Sequence, residues 1–329
     1  MNPCNRIILL ISAITLIPAS LFAGPLSIGN FTQVKLEYQY TDYLKYSYPN
    51  PILFEYPNQQ YTQPLPYIVD FPENRSLARV TQGIGFNDEI QLKYQYSDLS
   101  ENNFQDLFNL KYQRNVSASA DVHISGQFTR GTGNFLGKMV QLGGRYDWAG
   151  FVLASASYAY YTNEIDSVGL EKSDAHSFQL KLRQTLSRST AFQVRHDWFF
   201  ASGEKADFVS NTLTFWLSQW LPTQTAVHLE WREHWDTAGL TSHSPSLEIA
   251  QYLSWATIFK TRARYYYGKP TDEAALETIK GDHFTSFSIS GILSHHLFAE
   301  TIVSVKYRYY WSDQDVEMNT YLLALEHIL

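Results

Sequence analysis

Residues 32–40, TQVKLEYQY, decide the fold. Val34, Leu36, Tyr38 and Tyr40 are apolar or aromatic, and Lys35, Glu37 and Gln39 between them are polar. An extended strand sends successive side chains to opposite faces, so this segment forms a strand with one apolar face and one charged face.

The same period-two pattern recurs along the chain. Further strands are expected at about 77–86, 89–98, 104–114, 116–130, 135–148, 151–162, 175–187, 190–201, 208–219, 224–236, 245–255, 257–268, 283–294, 298–311 and 317–329, about 16 in all. The connections alternate in length. Short ones fall at Asn87-Asp88, around Asn115, at Ala149-Gly150 and at 187–189, 221–223, 254–257 and 294–297. Longer polar ones fall at 163–174, 237–244, 269–282 and 312–316, and 44–76 is the longest. Short turns at one end and longer loops at the other are the pattern of transmembrane barrels. With both termini at the turn end, the strand number must be even.

A sheet in lipid must close on itself, because every backbone group needs a partner there. The apolar face then meets hydrocarbon, and a barrel this wide can hold water inside. Aromatic residues gather where the interfaces would lie. At the loop end these include Tyr94, Tyr96, Tyr158, Tyr160, Trp198, Trp235, Tyr265, Tyr267, Tyr309 and Trp311; at the turn end, Trp148, Trp220 and Trp255. A soluble β-sandwich or propeller also alternates, but leaves the belts and the one-sided loops unexplained. The expected fold is all-β: a transmembrane antiparallel up-and-down β-barrel with short periplasmic turns and longer extracellular loops.

The N-terminus supplies the context. Arg6 precedes an apolar run over 7–17, Pro18 breaks it, and small residues lead to Ala23. That arrangement describes a secretory signal peptide, residues 1–23, cleaved after Ala23. A retained anchor is the competing reading, but the run is short for a spanning helix. Cleavage would remove Cys4, the only cysteine, so no disulfide is expected in 24–329. The chain carries a net charge of −7, and loss of Arg6 makes the mature chain one unit more negative. Such acidity argues against nucleic acid as a partner. No linker or composition break divides residues 24–329, which read as one domain.

The final segment, NTYLLALEHIL over 319–329, carries alternate apolar side chains at Tyr321, Leu323, Leu325 and Leu329. With the signal peptide and the roughly ten-residue strands, it resembles the bacterial outer-membrane β-barrel proteins, at a strand count similar to the 16-stranded general porins. The resemblance is architectural and covers the mature chain, and no motif picks out one family. His327 and the terminal Leu depart from the usual aromatic ending of that class. What the resemblance implies is location in the outer membrane of a Gram-negative bacterium, contact with outer-membrane lipids, and handling by the barrel assembly machinery.

Strand parity assigns 14 basic residues to the lumen: Lys35, Arg79, Lys93, Lys111, Arg145, Lys181, Arg183, Arg195, Arg232, Lys260, Arg262, Arg264, Lys306 and Arg308. Eight acids join them: Glu37, Asp121, Asp147, Asp197, Glu230, Glu248, Glu300 and Glu326. The nine bases from Lys181 to Arg308 are the candidate selectivity wall. Such a wall sorts solutes by charge; the competing reading is that lumen acids consume it by pairing. The loop 44–76 is rich in proline, which argues against further barrel strands, although an 18-strand barrel using part of it stays open. Its Tyr46, Tyr48, Phe54, Tyr56, Tyr61, Tyr67 and Phe71 make it a candidate constriction at the mouth; a surface loop packed on its neighbours is the alternative. Outward-facing His196, Asn211, Glu233 and Gln251, with His196 and Gln251 near mid-height, are candidates for a face that meets a second protomer. A local bulge that reverses parity is the alternative.

Catalytic chemistry finds little support. His176-Ser177 lacks the local pattern of the outer-membrane phospholipase, and a base and orienting acid would also be needed. His228, Glu230 and His234 share a face with Arg232, which is unfavourable for a metal; His123 is a solitary lumen histidine. No cofactor, metal or reaction is expected. The leading function is passive diffusion of small polar solutes with a preference for anions. An exporter barrel for an exopolysaccharide or other polymer, and a non-conducting structural or adhesin barrel, are the alternatives.

Overall fold

A computed structural model describes residues 31–45, 74–98, 104–132, 135–166, 170–202, 207–237, 239–270 and 282–329. The proposed signal peptide, residues 1–23, and most of the loop 44–76 lie outside the described residues. The fold is all-β. Sixteen strands run in chain order: β1 Thr32–Lys45, β2 Asn74–Ile84, β3 Asp88–Asp98, β4 Phe104–Ser117, β5 Ala120–Gly131, β6 Leu136–Trp148, β7 Val152–Asp166, β8 Leu170–Thr185, β9 Thr190–Ser202, β10 Phe208–Leu221, β11 Thr225–Asp236, β12 Leu240–Tyr252, β13 Thr257–Pro270, β14 Phe284–Phe298, β15 Thr301–Ser312 and β16 Val316–Ile328. Each pairs antiparallel with its chain neighbours, and β16 closes on β1 to give a barrel of mean radius 15 Å. Closure leaves no unpaired edge, which is what hydrocarbon demands.

The ladders fix which side chains face out. Large apolar residues exposed on the outer surface occupy even positions from β1 to β9, among them Tyr38, Leu110, Leu142 and Leu180. From β10 to β16 they occupy odd positions, among them Leu217, Leu247, Val305 and Leu323, except at the turn ends, where Trp220, Tyr252, Phe298 and Ile328 are also exposed. Parity changes because Leu213 of β10 stands opposite His196 of β9. The tight turn after β6 shows how chemistry sets a connection. Ala149 (φ 52°) and Gly150 (φ 74°) both take left-handed backbone angles, as the two central residues of a type I′ turn require, the Phe151 N–H bonds back to the Trp148 carbonyl at 3.0 Å, and Asp147 Oδ1 accepts the Gly150 N–H at 2.9 Å.

Several expected boundaries are corrected. The turn placed around Asn115 lies at 118–119, and the one placed at 294–297 lies at 299–300. Each follows an irregularity in its ladder, at Asn115/Ser117 and at His296/Phe298, where an extra residue breaks the alternation that marks a strand. The expected long loops at 163–174 and 237–244 fold largely as strand, leaving connections at 167–169 and 237–239. Half of the loop-end connections are therefore as short as the turns, 99–103 and 203–207 are slightly longer, and 46–73 and 271–283 are the long ones.

Candidate functional site: the lumen wall

The ladders arrange the inward bases in rows. Across β13, β14 and β15, Arg262 stands opposite Ser290, which stands opposite Arg308. One rung toward the turn end the row reads Lys260, Ile292, Lys306, and one rung toward the loop end Arg264, Ser288, Tyr310. Beyond β15 the lower row continues through Leu322 and Gln39 to Arg75.

Some of these charges are compensated within the wall. Glu230 bridges Arg262 at 3.0 Å and Arg264 at 2.6 Å. Glu37 takes Arg75 at 2.9 Å and Lys35 at 3.3 Å, Asp121 takes Arg145 at 2.7 Å, and Asp197 takes Arg195 at 2.8 Å. Arg232 is buried between Thr214 and Ser244 on the adjoining strands. For Arg79, Lys93, Lys111, Lys181, Arg183, Lys260 and Lys306, no carboxylate among the described residues lies within ion-pair distance; Lys111 donates instead to Gln113 at 2.9 Å. Pairing thus consumes part of the wall and leaves like charges together. Arg308, Arg75 and Arg262 lie within electrostatic reach of Lys306, with Glu37 the acid acting on it, and Arg195, Arg183 and Arg145 within reach of Lys181.

Sequence reasoning missed Arg75, because β2 starts before the expected 77, and it missed the inward acids Glu89 and Asp236. Glu300, expected in the lumen, sits in the turn at 299–300. The remaining expected acids have local tasks as well: Asp147 caps its turn, and Glu326 accepts from Gln33 at 2.6 Å. Glu248 stands opposite both Arg262 and His228. The other lumen histidines are engaged locally. His228 bonds to Ser218 at 2.8 Å, and His234 to Thr212 at 2.9 Å and Asp236 at 3.2 Å. His123 lies across Gly143, where a Cβ would collide with its ring.

Above the basic band, toward the loop end, the inner surface turns apolar. Met139, Ala159, Tyr161, Ala175 and Phe199 form one buried cluster. Tyr266, Phe284, Tyr310, Val316 and Met318 are buried on the opposite stretch of wall. Parity alone could have found them as inward apolar positions. The candidate constriction residues Tyr46, Tyr48, Phe54, Tyr56, Tyr61, Tyr67 and Phe71 lie outside the described residues.

On the outer face, His196 Nε2 meets Asn211 Oδ1 at 3.2 Å, and His196 is at the middle of β9. Glu233 is engaged by Trp231 Nε1 and by His243 Nδ1; His243 was expected in a loop and is in β12. Gln251 is a correction. It was expected near mid-height, but its amide donates to the Thr223 carbonyl of the 222–224 turn at 3.0 Å. It lies eight residues along β12 from His243, roughly 26 Å at strand rise, and does not share a patch with Glu233. His176 also faces outward, with Nδ1 2.7 Å from the Tyr158 hydroxyl.

No family model and no curated protein matches the sequence. Solved structures match its shape. A bacterial polysaccharide outer membrane secretin superposes with TM-score 0.58 at 11% identity, covering 92% of this chain and 99% of that one. CdiB from Acinetobacter baumannii gives TM-score 0.58 at 12% identity, over 90% of this chain and 60% of CdiB. OccK11 (OpdR) of Pseudomonas aeruginosa gives 0.50 at 9% identity, over 92% and 95%. At such identities the likeness concerns architecture, and the chain has the fold of the bacterial outer-membrane β-barrel proteins.

Proposed function

We propose that this protein is an outer-membrane channel through which small polar solutes diffuse, with a preference for anions. The observation that carries the reading is the set of lumen bases, Lys181, Arg183, Lys260 and Lys306, that no described carboxylate holds in an ion pair. A water-filled wall of one sign raises the local concentration of counter-ions and repels co-ions. The proposed location is the bacterial outer membrane, with residues 1–23 as the exported leader. The test is a salt gradient across a planar bilayer holding the purified protein. The reversal potential is expected on the anion side, and changing Lys181, Lys260 and Lys306 together to Glu is expected to move it toward cations. Cation preference in the unmodified protein would sink the reading. These three positions suit the test better than Arg195 or Arg262, whose replacement would also break an ion pair with Asp197 or Glu230.

A second reading, export of a polysaccharide, is supported by the end-to-end match with the polysaccharide secretin. It predicts that an acidic oligosaccharide added to one chamber traverses the pore and transiently blocks the current; a pure diffusion channel for small solutes excludes it. We further propose that the outer sector around His196, Asn211, Glu233 and His243 meets a second copy of the chain.

A further inference from the structure

One tryptophan stands apart from the others. Trp198, Trp231, Trp235 and Trp311 face outward toward the loop end, and Trp148, Trp220 and Trp255 lie at the turn end. Trp216 is half-buried on the inward face of β10, in line with Ser210, Thr212, Thr214 and Ser218. A large flat ring among small hydroxyl side chains needs a cause. Buried tryptophans usually place their N–H on an acceptor, but the Trp216 Nε1 has no partner among the described residues, so no hydrogen bond holds the ring there. His228, itself bonded to Ser218 at 2.8 Å, meets the indole at 78° with ring centroids 5.9 Å apart. Arg183 stands opposite Gln193, which stands opposite Trp216, so the three share one row across β8, β9 and β10. Arg183 is exposed to the lumen and lies within electrostatic reach of His228. Among the described residues neither Arg183 nor the Gln193 amide has an ion pair or a side-chain hydrogen bond. The acids nearby do not take Arg183: Glu230 is held by Arg262 and Arg264, Asp197 by Arg195, and Glu248 faces His228 from the far side.

We propose that Trp216, Gln193 and Arg183 form a subsite for an acidic sugar, a pyranose that carries a carboxylate. The inference rests on the lumen being a water-filled path for polar solutes, and it adds a defined stopping point within it. Each group supplies one part of the recognition. The electron-rich face of an indole attracts the polarised C–H bonds that line one face of a pyranose. The Gln193 amide can both donate to and accept from ring hydroxyls. The Arg183 guanidinium matches a carboxylate through two parallel N–H bonds. Strands two apart are separated by roughly 9.5 Å, which leaves room for a sugar ring on the indole with its carboxylate at the guanidinium. A neutral sugar would leave Arg183 unused, a small anion would leave the indole unused, and a flat aromatic acid would leave Gln193 unused.

Galacturonate is the probe. Galactose, acetate and benzoate at matched ionic strength are the references, each lacking one element of the match. Galacturonate is expected to reduce chloride current saturably and to raise the thermal unfolding temperature of the detergent-solubilised protein. Both effects should need about a tenth of the concentration that any reference needs. Trp216→Leu and Arg183→Gln should each raise the half-saturating concentration by about tenfold, with the folded fraction checked by heat-modifiable gel migration. Arg183 has no ion pair to lose, so its variant tests the site even where Trp216→Leu fails to fold. Lys306→Gln, on β15, should lower anion preference and leave half-saturation by galacturonate in place. Unchanged half-saturation in Arg183→Gln or in folded Trp216→Leu would overturn the site, and so would benzoate acting as strongly as galacturonate. An anion-selective pore on which galacturonate acts no differently from acetate would overturn the site while sparing the channel reading. A protein that galacturonate stabilises through Trp216 but that conducts no ions would do the reverse.

Discussion

Glu230 shows how one side chain sets both stability and selectivity. Its carboxylate is 8% exposed and bridges Arg262 and Arg264, so little water screens the interaction. Glu230→Gln leaves two largely buried guanidinium groups without their counter-charge, a loss of about 3 kcal/mol by comparison with other broken buried pairs. The same change adds a positive charge to the lumen. Urea unfolding should therefore show a lower midpoint while the reversal potential moves further toward anions. A variant with unchanged stability would mean that the bridge contributes nothing. On the outer face, His196 and Asn211 satisfy each other at mid-height, where polar groups facing lipid are unfavourable. If a second copy covers this pair, changing both to Leu should dissociate the oligomer on a native gel while the monomer still folds. An oligomer that persists, or a parent protein that migrates as a monomer, would return this sector to the lipid.

At the scale of strands, legibility followed the membrane. Where one face meets hydrocarbon, alternation is strict, and residues 135–148 and 257–268 were located nearly to the residue. Beyond the apolar belt both faces of a strand meet water, so polarity stops alternating while the backbone ladder continues. That is why 163–174 and 237–244 read as loops, although Glu164 pairs with Lys172 and Thr241 with Trp235. It is also why His243 went unrecognised as an outward partner of Glu233. Arg75 was lost for the same reason, at the loop end of β2. Rows across strands could not be read at all, because register depends on turn lengths that parity alone does not fix. The extended β12 makes a direct prediction. Amides over residues 240–244 with ladder partners on β11 and β13 should exchange with deuterium far more slowly than those of an open loop. Exchange within seconds would restore the shorter strand.

For the molecule as a whole, the decisive assignment is which face of the wall meets lipid, since lumen charge and outer sector both depend on it. Leu142 and Gln141 provide a matched pair for testing it. They are adjacent at the middle of β6, with Leu142 exposed on the outer face opposite Ile124 and Tyr158, and Gln141 directed inward opposite Ser125. Arginine at the hydrocarbon midplane costs about 2–4 kcal/mol, whereas a lumen site keeps its water. Leu142→Arg should thus lower the unfolding free energy in lipid vesicles by that amount. Gln141→Arg should change it by less than about 1 kcal/mol and should move the reversal potential toward anions, because its charge joins the path that permeating ions follow. The two readouts guard against a trivial outcome, since a generally fragile strand would lose stability at both positions and gain selectivity at neither. A larger stability loss at 141 than at 142, or a selectivity change from 142 alone, would reverse the two faces and with them the assignment of the basic wall to the lumen.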